Sequence, residues 1–356
     1  AHEPEGERLA VGDVDTERHR VALDDLVGWL RPTWSLTAIK ARVVEAVRET
    51  ADARTLVLEP NRLWPGHRAG QHVLVEIEID GRRLRRTFSL SSPPRADGLV
   101  TITVKRREGG TMSRYWNDRA AVGDIVTLGM PSGEFVLPSP QPRRIVMVSA
   151  GSGITPLMAM LRELHARDTR CEVLFVYCAH SRTDGLFVGE LEAIARRRSW
   201  LNLRLHLTTA SGRVDSGTLT RLAVEAGDAA AFVCGPEGFM EAVRRAWREA
   251  GQEDCLRFEH FGLPARADGG SEPEAVLATR SAKTFVATGG QSLLAAAEAA
   301  GLSPAYGCRI GVCHTCKCRK LSGVVEDLRD GRISAEPGEM IQLCVSAARS
   351  AVTLEL

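Results

Sequence analysis

A chain of 356 residues is long enough for two or three domains, each able to bury a core of its own. Its 46 basic and 45 acidic residues cancel to a formal net charge of +1, which excludes the broad cationic surface that nucleic acid requires. With no apolar run near the ~20 residues of a membrane span, and with the acidic opening AHEPEGERLA in place of a secretion signal, the composition predicts a cytoplasmic protein without a transmembrane segment.

In chain order, residues 1–37 read as a polar N-terminal extension that gains a short apolar stretch from Val21 to Leu36, with Trp29 and Trp34 in it. Over 38–139 the pattern is β. Val73, Val75, Ile77 and Ile79 alternate with polar neighbours, as do Val100, Ile102 and Val104, which predicts antiparallel strands in a small barrel. From 140 to 262 strands are followed by helices. IVMVS (145–149) precedes an apolar stripe at Leu157, Met160, Leu161 and Leu164; VLFVYC (173–178) precedes a helical run at 186–198; AFVC (231–234) precedes Pro236 at a helix start. This rhythm predicts a parallel α/β sheet with ligands at the carboxyl ends of its strands. Residues 263–275, LPARADGGSEPEA, read as a linker, and 276–356 hold two short β-like runs, an Ala-rich helix near 291–300 and a cluster of cysteines.

In a chain of this kind nine cysteines read as ligands and reduced core thiols rather than as disulfides. Cys171, Cys178 and Cys234 sit in or beside apolar strands. Cys308, Cys313 and Cys316 stand apart, with four and two residues between them, and Cys344 follows after a long gap. That is the plant-type spacing for a 2Fe-2S cluster, which needs two sulfide-bridged irons held by four thiolates. Gly307 and Gly311 let the loop turn so that amide N–H groups can face sulfur. A zinc ribbon would need a second Cys-x-x-Cys knuckle, which the sequence lacks. On an extended strand Cys318 would lie about 7 Å beyond Cys316, and it reads as a bystander.

Gly151-Ser-Gly153-Ile-Thr155-Pro156 follows a predicted strand and opens a helix, where a backbone without side chains can approach a pyrophosphate. Pro156 stands where a third glycine would complete the dinucleotide fingerprint, so a plain glycine turn is the competing reading. Cys234-Gly235-Pro236 marks a second strand end in the same sheet. In the β region, Arg86-Thr87-Phe88-Ser89 offers a guanidinium for a phosphate, an aromatic face for a flat ring and hydroxyls for ring nitrogens. Gly110-Thr111-Met112-Ser113 leads into a helix, with Ser113 either a phosphate contact or an N-cap.

Taken in order, RTFS, GSGITP, CGP and the four-cysteine pattern resemble the ferredoxin-NADP reductase superfamily over residues 38 to 356. The likeness is to its oxygenase-reductase branch, in which a flavin barrel and a nicotinamide domain precede a plant-type ferredoxin domain. The resemblance implies a multidomain fold: an antiparallel flavin-binding β-barrel, a parallel α/β nucleotide-binding sheet and a β-grasp ferredoxin domain. It implies FAD, with FMN the minority choice. Arg86 and Phe88 inherit the flavin phosphate and ring, Phe88 replacing the usual tyrosine. Ser89 is expected near flavin N5, and Gly110 and Ser113 on the diphosphate side. Thr155 and Cys234 are expected beside the nicotinamide, and Glu259 and Phe261 of Glu-His-Phe-Gly are expected to return an acid and a ring to the flavin.

Ser89, Cys234 and Glu259 would border the reacting atoms as hydride passes from nicotinamide C4 to flavin N5, the electrons then leaving singly through the cluster. Ser181, Arg182 and Arg213 are placed for the 2′-phosphate of NADPH, and no acidic residue stands out for the free ribose hydroxyl of NADH, so NADPH is the expected donor. The expected acceptor is a terminal oxygenase. The Trp34-Ser35 pair in the extension points to a fatty-acid desaturase or hydroxylase, a partner that can be membrane-bound. The competing reading is an electron-relay subunit with no NAD(P)H turnover of its own.

Overall fold

A computed structural model describes residues 32–167, 169–261, 272–288, 290–311, 314–329 and 331–356. Most of the N-terminal extension, most of the 263–275 linker, Gly262 and Cys313 lie outside the described residues.

Strands β1 (Ile39–Thr50), β2 (Ala53–Pro60), β3 (His72–Ile79), β4 (Arg82–Ser89), β5 (Val100–Lys105) and β6 (Ile125–Leu128) form one antiparallel sheet in the order β4-β3-β6-β1-β2-β5. A bridge between Leu90 and Ile102, and a bond from Ser91 N to Thr101 O (2.8 Å), tie the two edges together, so the sheet curls toward a barrel. The alternating residues Val73, Val75, Ile77 and Ile79 face inward with Val100, Ile102 and Val104. Trp116, on the helix Thr111–Asp118, closes this core and is fully buried. Burying that ring and its aliphatic neighbours contributes ~1.5–3 kcal/mol per large side chain.

Strands β7 (Arg144–Ala150), β8 (Glu172–Ala179), β9 (Leu201–Leu207), β10 (Ala230–Cys234) and β11 (Leu256–Glu259) form a parallel sheet in the order β11-β10-β7-β8-β9. Its inner strands β7, β8 and β10 are apolar on both faces because both are covered, whereas the edge strand β9 alternates, with Asn202 and Arg204 exposed. Ile145 and Met147 pack under the helices Ile154–Ala166 and Val188–Arg197, while Val146 and Val148 pack under Ser216–Ala226 and Glu237–Glu249. The chain leaves β7 toward β8 on one side and returns to β10 on the other. A crevice therefore opens at the carboxyl ends of β7 and β10, the switch point where such sheets bind ligands.

The last domain has the β-grasp arrangement. Strands β12 (Glu274–Ala278) and β13 (Lys283–Ala287) form a hairpin, and the helix Leu293–Ala299, capped by Ser292 Oγ accepting from Ala295 N (3.2 Å), crosses behind it. Then come β14 (Lys317–Ser322), β15 (Val325–Asp327), β16 (Ile333–Ser334), β17 (Met340–Gln342), β18 (Ser346–Ala348) and β19 (Val352–Leu354). The main sheet has the order β13-β12-β19-β14-β17, with β12 and β19 parallel, and β16-β15-β18 make a small second sheet. Sequence periodicity predicts two β-like runs here, and the described residues form eight strands. Five of them have only two or three residues, too few to display a period. Among the described residues no helix is long and apolar enough to cross a membrane.

Candidate functional site

One cleft gathers the segments that the sequence holds far apart. It is lined by Arg86, Thr87, Phe88 and Ser89 from the end of β4, by residues 103–113 from β5 and the loop after it, by Ser152 and Thr155 from the turn after β7, and by Phe261 beyond β11. The barrel thus supplies one wall and the crevice of the parallel sheet the other. A more capacious hollow, about 620 Å³ against about 290 Å³, lies at Trp34, Leu36, Arg42 and Asn61. It contains no residue of RTFS, GSGITP, CGP or the cysteine pattern, so volume does not locate the chemistry.

Two hydroxyls in the cleft wall are buried without a hydrogen-bond partner: Thr87 Oγ1 and Ser89 Oγ. Leaving a buried hydroxyl unpaired costs ~1–3 kcal/mol, so donors of this kind mark where a polar ligand edge belongs. Together with a guanidinium and an aromatic ring on the same strand, they suit a flavin. Arg86 Nη1 is turned to the Arg85 carbonyl (2.7 Å), which leaves its other nitrogens for an anion. Gly110 caps the helix Thr111–Asp118. A Cβ at Gly110 would lie 2.5 Å from Ser113 Oγ, which folds back to donate to Gly110 O (3.2 Å) and to accept from Arg107 N (3.1 Å). Ser113 therefore shapes the Arg107–Gly110 loop at the cleft's rim and gives the helix no side-chain cap.

On the opposite wall the two strand-end motifs touch. A Cβ on Gly153 would fall 2.2 Å from Cys234 O and 2.6 Å from Gly235 N, so only glycine lets the GSGITP turn cross the start of CGP. Gly151 takes a left-handed φ of +56°, and its carbonyl accepts from the buried Tyr177 hydroxyl (3.2 Å). Thr155 Oγ1 donates to Ser152 O (3.1 Å), and Pro156 fills the first turn of the following helix, where its missing N–H costs nothing. Pro236 N-caps the helix Glu237–Glu249. In the register of the sheet Cys234 lies between Ser149 of β7 and Glu259 of β11. Burial, and then the Glu259 carboxylate, push the Cys234 thiol well above its usual range; it stays a neutral packing group and cannot serve as a thiolate nucleophile.

Ser149 Oγ is fully buried and unpartnered at the same strand ends. His72, which opens β3, binds Glu259 Oε1 through Nδ1 (3.0 Å). Sequence reading singles out neither residue, because a lone serine and a lone histidine in apolar strands carry no spacing signal.

The proposed 2′-phosphate residues lie at the ends of β8 and β9, whose loops are joined by the bond from Thr209 N to His180 O (3.0 Å). Arg213 is exposed, but Arg182 forms an ion pair with Glu192. Ser181 Oγ donates to the Asp184 carboxylate (2.5 Å), so an acid stands beside a residue proposed for the 2′-phosphate. Asp184 is brought there by the turn after β8, three residues further along the chain than inspection of the strand end reaches.

Of the four proposed cluster thiols, Cys308, Cys316 and Cys344 are described, and all are buried. No group of three metal-binding side chains gathers among the described residues, Cys313 being outside them. The donors nonetheless suit the cluster. Ile310 N points at Cys308 Sγ and Cys344 N at Cys316 Sγ, each at 3.5 Å, as backbone amides do around thiolate-held iron. The hydrogen bond between them lowers the Cys316 thiol and raises that of Cys344. Gly311 takes φ +79°, and a Cβ there would lie 2.7 Å from Arg329 Nη1 and 2.8 Å from Val345 Cγ1. Cys318 is turned into the core beside Ile341 and Leu354, its Sγ 3.7 Å from Arg319 O. Arg309, at φ +62°, is pinned by both oxygens of Glu298 (2.6 and 2.8 Å) and lies over the Tyr306 ring at 3.9 Å. Tyr306, Pro304 and Gly307 share a hollow with Arg83, Arg85 and Arg86, so the strand that ends in RTFS is also the one the cluster loop faces.

Three family models match the chain in order: an oxidoreductase FAD-binding domain over 40–137, an oxidoreductase NAD-binding domain over 147–245 and a 2Fe-2S iron-sulfur cluster binding domain over 277–349. An NADPH oxidoreductase of Mycobacterium tuberculosis is 36% identical over 342 residues, covering 94% of this chain and 88% of its own. A stachydrine N-demethylase reductase subunit of Rhizobium meliloti is 30% identical, covering 88% and 96%. Among solved structures, phthalate dioxygenase reductase, which carries electrons from pyridine nucleotides to a 2Fe-2S cluster, superposes with a TM-score of 0.63 at 25% identity over 90% of this chain and 98% of that one.

Proposed function

The chain belongs to the ferredoxin-NADP reductase superfamily as an NAD(P)H oxidoreductase with FAD and a plant-type 2Fe-2S cluster, and from that premise we propose that it is the reductase component of a terminal oxygenase. The observation that carries the reading is the meeting of RTFS, GSGITP, CGP and Phe261 around one cleft with two unpartnered buried hydroxyls.

Bound FAD supplies an acceptor for a hydride that can release its electrons one at a time, and the cluster a carrier for single electrons. Arg86 would pair with the flavin phosphate and Phe88 would cover the ring, while Thr87 and Ser89 would bond its polar edge and hold it flat against the cleft. The turn at Gly151–Pro156 would receive the dinucleotide diphosphate on the N-terminus of the helix Ile154–Ala166. Phe261, at the cleft's mouth, would keep water from the reacting face until a nicotinamide displaces it. Cys234, Thr155 and Glu259 would border the nicotinamide carbon, with the neutral Cys234 thiol giving shape rather than attack. Cys308, Cys313, Cys316 and Cys344 would hold the irons.

NADPH is the proposed donor, supported by Arg182 and Arg213 at the two strand ends and by the M. tuberculosis relative, which is named for that nucleotide. The oxygenase partner is supported by the R. meliloti relative, a reductase subunit of a demethylase. A fatty-acid desaturase or hydroxylase is the narrower proposal. Its support is the exposure of Trp34 (52%) and Leu36 (46%) on the barrel's surface, apolar groups that a lipid-processing partner could cover. Reduction of ferricyanide by the purified chain tests the core of the reading: rapid turnover with NADPH and slower turnover with NADH is the expected outcome. A flat trace with both would overturn it in favour of a relay subunit.

A further inference from the structure

Two side-chain bonds tie the nucleotide domain to the barrel beside the cleft: Arg162 Nη1 to Ser91 O (2.5 Å), which uses only a backbone carbonyl, and His72 Nδ1 to Glu259 Oε1 (3.0 Å), which joins two side chains. Both side chains are nearly buried, 9% and 13% exposed, so water does not compete for the contact. His72 is held firmly. It opens β3, exchanges backbone bonds with Ser132 (3.0 and 2.9 Å), and its ring lies against Gly133, where a Cβ would come within 3.0 Å of Cε1 and Nδ1. Its cross-strand partner is Ser89, the cleft hydroxyl without a bond, and directly paired residues present their side chains on the same face of a sheet. Glu259 in turn ends β11 beside Cys234. One imidazole thus joins the flavin wall to the nicotinamide wall, and its Nε2 is buried with no partner of its own.

We propose that His72 is a positioning residue for hydride transfer: by holding Glu259, it sets how the nucleotide sheet closes on the barrel and so where the nicotinamide meets the flavin. The inference rests on the functional reading above. His72 itself passes no proton or electron. The Nδ1–Oε1 hydrogen bond fixes the Glu259 side chain in one rotamer, so that it borders the nucleotide rather than swinging to solvent. Rates of hydride transfer are steep in the separation and alignment of the two carbon and nitrogen centres, so the loss of one such anchor is felt in rate more than in affinity.

Two substitutions separate the bond from the packing. His72→Leu keeps an apolar side chain against Gly133 and removes the donor, whereas His72→Gln keeps a donor. In stopped flow with NADPH, His72→Leu should lower the limiting rate of flavin reduction about tenfold, as expected when a reacting pair loses its alignment, while the NADPH dissociation constant changes less than about twofold. His72→Gln should recover most of the rate. A readout independent of turnover is the flavin difference spectrum produced by NADP+: it should change shape in His72→Leu and Glu259→Gln alike, and no further in the double variant. Wild-type rate in His72→Leu, equal loss in Leu and Gln variants, or additive effects with Glu259→Gln would overturn the proposal. Failure of the functional reading looks different, since the wild-type flavin would then not be reduced by either nucleotide.

Discussion

The flavin cleft takes its side chains from residues 86–89, 103–113, 152–155 and 261, whereas three of the four proposed cluster thiols come from the nine-residue stretch 308–316. The cleft is held by the protein alone. Its close approaches, such as Gly153 on the Cys234 carbonyl, are between backbones of a sheet whose core is complete. The cluster loop depends on unusual local conformations, φ +62° at Arg309 and +79° at Gly311, tied down at its rim by the Glu298 pair and the Tyr306 ring. The comparison teaches that hydride acceptance is built into the scaffold, while single-electron output rests on a loop that its ligand completes. Damage to the two should therefore separate cleanly.

The largest effect expected is at the loop. Cys344→Ser removes a thiolate that contacts Cys316, and iron left under-coordinated is lost. Iron content and the reduced-cluster EPR signal should vanish, and cytochrome c reduction should fall by at least about a hundredfold, whereas ferricyanide reduction, which can draw on flavin, persists. Cys318→Ser, in the core and turned to Arg319 O, should change none of these. A Cys318→Ser protein without the EPR signal would merge the bystander with the ligand set and break the comparison.

Next comes the cleft's own rigid point. Gly153→Ala would drive a methyl carbon to 2.2 Å from Cys234 O, and both sides are backbone, so neither can yield cheaply. A loss of ~1–3 kcal/mol in stability is expected, in the range of other overpacking substitutions. It should come with slower flavin reduction at unchanged flavin content, since the barrel wall is untouched. If the cleft were as adaptable as the loop, thermal unfolding of Gly153→Ala would match wild type.

The same contrast governs what the sequence discloses. Val73, Val75, Ile77 and Ile79 announce a half-buried strand, and Cys-x4-Cys-x2-Cys announces iron, because in both cases the information is local and periodic. The crevice at β7 and β10 is legible as two glycine-bearing strand ends, but their collision at Gly153 is not, since register between strands is a tertiary fact. The short strands after β14 hide because two or three residues show no period. His72 and Asp184 hide for a different reason: each gains meaning only from a partner, Glu259 or Ser181, that folding delivers.

A smaller effect is expected at Cys234. Replacing it by alanine removes a side chain from the wall proposed to receive the nicotinamide, and flavin reduction should slow several-fold with flavin content intact. Because burial and Glu259 hold this thiol above its ordinary 9.0, it stays protonated as pH rises to that value. The ratio of wild-type to Cys234→Ala rates should therefore be constant from about pH 7 to 9. A ratio that changes with a midpoint near 8 would mean a titrating thiolate and a wetter, less finished cleft than the one described.

The smallest effect belongs to the rim of the nucleotide site, where the scaffold gives way to solvent-exposed side chains. A well-formed charge-assisted contact is worth ~1.5–3 kcal/mol, but Arg182 is 56% exposed and already engages Glu192, so solvent screening and competition both subtract from it. Replacing Arg182 and Arg213 by alanine should raise the KM for NADPH by roughly fivefold, the equivalent of ~1 kcal/mol, and leave NADH nearly unchanged. Glu192→Gln supplies the opposite sign. Freed from its carboxylate, Arg182 becomes available to a 2′-phosphate, and the NADPH KM should fall about twofold while that for NADH stays put. Asp184, held by Ser181, would work against a 2′-phosphate bound here by its charge, so Asp184→Asn should move selectivity the same way. If all three substitutions shift both nucleotides equally, these side chains do not read the 2′-position, and the choice of donor must lie deeper in the crevice.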